Sequence, residues 1–181
     1  MTYYERNLPH WQPPGKDIFL TWRLHGSLPA RINLPDTNEY AGKRFLAYDR
    51  ALDSATVGPL WLKDPPIAEA IIAALQKGQA DAMFRLHAYT ILANHVHILI
   101  EPRLPVARIT KIIKGRTARE ANRILNRESG RFWQDESFDH WIRSTAQWQR
   151  VRSYIELNPV KAGLVAKPQD WPWSSASRPL D

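Results

Sequence analysis

The chain of 181 residues contains no cysteine. Disulfides, zinc–thiolate centres and thiol nucleophiles are thereby excluded, and a reducing cytoplasm is the expected setting. No apolar run approaches the length that crosses a bilayer, so no membrane association is expected. The opening Met1-Thr2-Tyr3-Tyr4-Glu5-Arg6 lacks the apolar core of a signal peptide, which points the same way. Internal repeats and low-complexity tracts are absent, as are a glycine-rich phosphate loop and a Ser-His-Asp spacing. Acidic residues are in deficit, 18 against 25 lysines and arginines, for a net charge of +7. Hydrophobic residues, in contrast, make up 44% of the chain. That suffices for a core at this length and excludes global disorder. One domain over 1–181 is expected, with a core at about 17–165, an extended arm at 1–16 and a tail at 166–181.

The positive charge is concentrated. Residues 103–131 hold nine basic side chains against two acidic ones, Glu120 and Glu128, so this stretch carries the whole excess. Lys111, Lys114, Arg116, Arg119, Arg123 and Arg127 fall on one expected helix. A phosphate-rich partner is the natural reading, and a merely solvated helix face is the alternative.

Ile18 to Leu24 reads as a strand ended by Gly26 and Pro29. Residues 38–53 read as a helix with Tyr40, Phe45, Tyr48 and Leu52 on one face. Asp64 and Pro65 suit the N-cap and first position of a second helix, which ends near Gly78. Phe84–Leu92 and His95–Glu101 form a hairpin turning near Asn94. Residues 105–127 form the basic helix, with Gly115 as a weak point. A strand lies within Phe132–Trp141. Ser144 opens the last helix in a capping box with Gln147, and Pro159 is expected to stop it at Asn158. The order contains β-α-β-β-α-β at its centre, the ferredoxin-like α+β plan of an antiparallel sheet with helices on one face. Such a plan carries no chemistry by itself.

His95-Val96-His97 sets two imidazoles on one face of a strand, a natural way to hold one divalent cation. A pair of half-exposed sheet histidines is the plainer reading. Tyr154 and Asn158, four apart on a helix, lie one above the other. The plainer reading there is a boundary tyrosine and a helix-ending asparagine. If Asn158 ends the helix, its free carbonyls carry a partial charge of about −0.5, which favours a cation. A tyrosine on that turn approaches a phosphate only where a cation or basic side chains bring it in, and the sequence supplies both. His140 reads as structural, with metal ligand or proton shuttle as the alternative. His10, His25 and His87 have no partner in the sequence and read as structural. Asp135 and Glu136 read as solvated loop acids, with assistance to a metal as the alternative. Trp171 and Trp173 read as a hydrophobic plug, with base stacking as the alternative.

Asn94-His95-Val96-His97-Ile98-Leu99-Ile100-Glu101-Pro102 resembles the His-hydrophobic-His strand of the HUH single-strand nucleases. Arg152-Ser153-Tyr154-Ile155-Glu156-Leu157-Asn158-Pro159-Val160-Lys161-Ala162-Gly163 resembles the tyrosine helix of the one-tyrosine transposases, in particular the REP-associated tyrosine transposases. Leu8 to Gly15, Gly58 to Leu62, Phe132 to His140 and Trp171 to Ser175 are similar to that group as well, so the resemblance runs over nearly the whole chain. It implies that His95, His97 and Asn158 bind Mg²⁺ or Mn²⁺ and that Tyr154 is the nucleophile. Insertion-sequence relatives generally carry glutamine where this chain has Asn158; the shorter amide still offers a hard carbonyl oxygen.

The activity implied is that of a metal-dependent single-stranded DNA endonuclease and strand transferase. It would act on hairpin DNA from repetitive extragenic palindromes through a covalent 5′-phosphotyrosine. A monomer is expected, with a dimer as the alternative. One rival is a domesticated, non-cleaving hairpin-binding regulator. The other is a nucleotide phosphohydrolase with a His-x-His-x-His site, against which Leu99 at the third position and the concentrated charge both argue.

Overall fold

The computed structural model describes residues 2–5, 9–28, 41–55 and 58–180. Two short strands, β1 (Thr2–Glu5) and β2 (Pro9–Gln12), pair as an antiparallel ribbon. The body of the chain then runs β3 (Ile18–Arg23), α1 (Ala41–Asp53), α2 (Pro65–Ala80), β4 (Phe84–Ile91), β5 (His95–Pro102), α3 (Val106–Ile124), β6 (Phe138–Trp141) and α4 (Thr145–Lys161). The second sheet has the order β4-β5-β3-β6 and every pairing in it is antiparallel. That order, with crossovers through α2 and α3, is the ferredoxin-like plan expected from the sequence.

The central strands are buried on both faces, and this decides how many layers the fold needs. On one face Ile18, Leu20, Trp22, Val96, Ile98 and Ile100 pack against Ile67, Ile71 and Leu75 of α2 and Ile109 and Ile113 of α3. On the other face Phe19, Ala88 and Leu99 pack against Phe45 of α1 and Ile155 of α4. Helices on one face were expected, and α2 and α3 occupy it. Strands apolar on both sides cannot leave the second face to water, so α1 and α4 cover that one. The second core is the smaller, and His95 and His97 open into it.

Several boundaries differ from the sequence reading. The helix expected over 38–53 is seen as α1, and residues 38–40, including Tyr40, lie outside the described residues. Helix α2 ends at Ala80, near Gly78 as expected. A Cβ at Gly78 would meet the Phe84 ring at 2.7 Å, so the glycine lets α2 lie against β4. Helix α3 runs unbroken through Gly115. Only half of the capping box forms: the Gln147 amide donates to Ser144 Oγ at 3.2 Å, but Gln147 Oε1 accepts from Arg143 N rather than from Ser144.

Pro159 does not stop α4, which continues to Lys161. A proline near a C-terminus removes one hydrogen bond, the one to the carbonyl four residues earlier, and the following amides go on donating. Ala162 N donates to Asn158 O at 2.9 Å and Leu164 N to Pro159 O at 2.9 Å. The Asn158 carbonyl is therefore satisfied, and the expected pull of free helix-end carbonyls on a cation at Asn158 does not apply.

The tail behaves as a plug. Ile91 N donates to Trp173 O, Ser175 N donates to Tyr89 O, and Trp171 Nε1 donates to Ile91 O, each at 2.9 Å. These bonds cover the open edge of β4, which would otherwise present unpaired backbone groups. No helix among the described residues is long and apolar enough to cross a membrane.

Candidate active site

The site forms where α1 and α4 cross the second face of the sheet. Register pairs Thr21 of β3 with His97 and Arg23 with His95. Both imidazoles are fully buried, at 0% exposure, so the half-exposed reading does not hold. Asn94, in the hairpin turn, donates Nδ2 to the Leu52 carbonyl at 3.0 Å, which turns its Oδ1 toward His95 Nδ1 at 2.7 Å. An amide oxygen only accepts, so Nδ1 of His95 carries the proton and Nε2 keeps its lone pair. Thr21 Oγ1 lies 2.6 Å from His97 Nδ1 and fixes that ring from behind in the same way. The two Nε2 atoms then face one another at 3.1 Å.

Opposite them stands Asp49 of α1, which the sequence reading did not single out. Its Oδ1 lies 3.1 Å from His97 Nε2 and 3.5 Å from His95 Nε2. Its Oδ2 accepts hydrogen bonds from the Tyr154 hydroxyl and, at 3.2 Å, from Asn158 Nδ2. One turn on, Asp53 Oδ1 lies 3.8 Å from His95 Nε2. The Tyr154 ring meets Phe19, Phe45 and His97 edge-on. The nucleophile candidate, the histidine pair and Asn158 are thus brought together, with two acids added.

Burial opposes ionisation of Asp49, but the imidazoles of His97 and His95 and the Tyr154 hydroxyl outweigh it and hold the carboxyl below the usual carboxylate range. Burial, then the charge of Asp49, pushes Asp53 up to about 7. Burial, then His97, pushes His95 down to about 3, so it is neutral and able to ligate. Burial, then the Asp49 carboxylate, raises the Tyr154 hydroxyl above the ordinary phenol range.

The residues fit a hard divalent cation. Asp49, His95 and His97 each offer a ligand atom, all within 4.8 Å of one another. Asp49 Oδ1, Asp53 Oδ1 and Asn158 Oδ1 are buried without a hydrogen-bond partner, a costly state that a cation would relieve. Two imidazole nitrogens with carboxylate and amide oxygens suit Mg²⁺ or Mn²⁺. Asn158 presents Nδ2 to Asp49 and His97, so its oxygen becomes a ligand only after the amide rotates by half a turn. It is buried, and its side chain points into the cluster rather than capping the helix.

The remaining candidates lie elsewhere. His140 Nε2 meets Gln147 Nε2 at 2.7 Å, away from the cluster. His87 faces Asp17 and the Trp148 ring. Asp135 pairs with Arg131 at 2.8 Å on the α3 side of the sheet. The basic residues of α3 also lie on that opposite side; the helix expected to reach 127 ends at Ile124, so Arg127 lies just beyond it. Lys114 is turned inward: its Nζ donates to the Gln134 and Asp135 carbonyls at 2.5 and 2.9 Å, and burial pushes it down to about 8. Arg116 approaches Asp81 at 3.6 Å, Arg123 pairs with Glu120 at 2.5 Å, and Arg127 covers the Trp61 ring at 4.3 Å. Lys111 lines a cleft of about 450 Å³ between α3 and the segment from Trp133 to Asp139. Arg119 Nε donates to the Gly115 carbonyl of its own helix at 3.3 Å.

An antiparallel ferredoxin-like sheet with a buried His-x-His strand facing a helical tyrosine defines the class. The family described as IS200-like transposases matches residues 60–158, more than half the chain, and this chain belongs to it. It is 30% identical over 107 residues to a REP-associated tyrosine transposase of Escherichia coli (strain K12), a match spanning 58% of this chain and 62% of that protein, under two thirds of the relative's length. A solved structure, that of a REP-associated tyrosine transposase bound to a REP hairpin, shares the fold with a TM-score of 0.59 at 21% identity, covering 98% of this chain and 84% of that one. The resemblance read from the sequence therefore holds. Helix α1, with Asp49 and Asp53, lies outside the stretch the family description covers.

Proposed function

We propose that the protein is a metal-dependent single-stranded DNA endonuclease and strand transferase acting on hairpin DNA of the REP type. One observation carries the reading: a tyrosine hydroxyl held by a buried carboxylate whose other oxygen completes a His-His-Asp cluster. Mg²⁺ or Mn²⁺ held there by His95, His97, Asp49 and a rotated Asn158 would offset charge developing on the scissile phosphate.

Tyr154 Oη attacks phosphorus, its proton passing to Asp49 Oδ2. The P–O3′ bond breaks, the leaving oxygen takes a proton from solvent, and a 5′-phosphotyrosine remains. The phosphodiester energy is conserved in that ester, so a 3′-hydroxyl reverses the step and joins strands. Phe19, Phe45 and Ile155 form the apolar wall against which the partly buried Tyr154 packs. The proposed working unit is a monomer.

Labelled hairpin DNA incubated with Mn²⁺ should yield a covalent protein–DNA adduct. Tyr154→Phe should abolish adduct and cleavage while hairpin affinity stays within about twofold, since only the hydroxyl is lost. Tight binding by the wild type with no adduct at any metal concentration is the behaviour of a non-cleaving regulator and would replace this reading.

A further inference from the structure

Tyr154, Asn158 and Lys161 follow at spacings of four and three, so they share one face of α4. A long side chain on a helix leans toward its N-terminal turn. Lys161 does so, and its Nζ stands 4.5 Å from the centre of the Tyr154 ring. The tyrosine is therefore held from two sides: Asp49 takes its hydroxyl from within, and an ammonium covers its ring from the solvent side, where Lys161 is exposed. Asp53 is near enough for the two charges to sense one another, yet no carboxylate among the described residues is in ion-pair contact with Lys161.

A phosphodiester reaching Tyr154 is an anion meeting two acids, Asp49 and Asp53, on the inner side. A cation held by Asp49, His95 and His97 would answer that charge from beneath. On the open side a cation without an ion-pair partner among the described residues already stands over the nucleophile's ring. An ammonium on a four-carbon stem is a mobile point donor, so it can swing from the ring face to an oxygen beside the hydroxyl. We propose that Lys161 is a catalytic residue that binds a non-bridging oxygen of the scissile phosphate and holds it against Tyr154. This rests on the reading of Tyr154 as nucleophile. In the attack, charge grows on that oxygen while the P–O3′ bond breaks, and Lys161 keeps its own proton throughout.

The test is single-turnover adduct formation with Mn²⁺ on two hairpin substrates. One carries a normal phosphodiester at the scissile position; the other carries a methylphosphonate, in which an uncharged methyl replaces one non-bridging oxygen. On the diester, Lys161→Ala should slow adduct formation by about 100-fold, the usual effect of removing one such donor. The thermal midpoint should not change, and Lys161→Arg should recover part of the rate. On the methylphosphonate, wild type and Lys161→Ala should differ by less than about threefold. Equal rates on the diester, or the same penalty on both substrates, overturn the role of Lys161 alone. No adduct from wild type on the diester overturns the proposed function instead.

Discussion

At the residue scale, the site depends on a side chain that the sequence motifs do not contain. His95, His97, Tyr154 and Asn158 were legible because each pair lies within one element, where strand or helix spacing sets it on a common face. Asp49 is 46 positions before His95 and joins the cluster only through the packing of α1 on the sheet. Its signal was present: Asp49 sits four residues after Phe45, inside the apolar stripe, and a carboxylate at a core position is the informative exception. Metal affinity tests the assignment without DNA, because a cation bound only to the folded state raises the thermal midpoint. Asp49→Asn should need at least about tenfold more Mn²⁺ for half of the wild-type shift, since ligand charge governs affinity for hard cations. Asn94→Ala should weaken binding by about 10–100-fold through release of the His95 ring. Asn158→Asp should preserve or tighten it, and Asn158→Ala should weaken it. A midpoint that responds to Mn²⁺ identically in wild type and Asp49→Asn would remove Asp49 from the site.

At the scale of the element, two helical glycines show where local propensity and packing part. The sequence places the end of α2 near Gly78 and a weak point within α3 at Gly115. Both helices run through their glycine, α2 by two residues, because a glycine costs a helix only about 1 kcal/mol relative to alanine and each helix buries a continuous apolar stripe. They differ in their surroundings. A Cβ at Gly115 would meet nothing within 4 Å, whereas at Gly78 it would lie 2.7 Å from the Phe84 ring. Gly115→Ala should therefore stabilise the protein by roughly 0.5–1 kcal/mol. Gly78→Ala should destabilise it by about 1–3 kcal/mol, as overpacking does. Urea melts of the two variants decide it; the same sign for both would mean that helix propensity alone governs these positions. The tail and the aromatic motifs were similarly half-legible. Phe132 stacks on Trp61 and Trp133 meets Trp22 edge-on, so these segments build the α3-side core rather than the site.

For the whole molecule, the central fact is that chemistry and charge lie on opposite faces of one sheet. The Asp49–His95–His97 cluster is under α1 and α4, while the basic helix α3 packs beneath the other side. The two approach each other at one end. There Leu24 N reaches Asn94 O, Leu62 N reaches Ala93 O and His25 N reaches Phe132 O. Arg127 joins the same region by covering Trp61, so the C-terminal half of α3 points toward the end of the sheet that carries His95. A nucleic acid that followed α3 into the site would have to pass around this end, and the outward-facing cations of α3 would then be the ones to meet phosphate. Lys111, Arg119 and Arg123 face outward, the last with only an exposed pair to Glu120 that phosphate can displace. Lys114 differs, because its charge is bound to two backbone carbonyls. Replacing Lys111, Arg119 and Arg123 together with glutamine should reduce the slope of log K against log salt by about 0.7 per lost contact on single strands and about 0.9 on duplex. Lys114→Met should leave that slope unchanged and instead lower the thermal midpoint by freeing the Gln134–Asp135 segment. Hairpin titrations at several salt concentrations separate the two effects. A slope unchanged in the triple variant would reduce α3 to a solvated face and require the phosphate path to lie on the α1–α4 side alone.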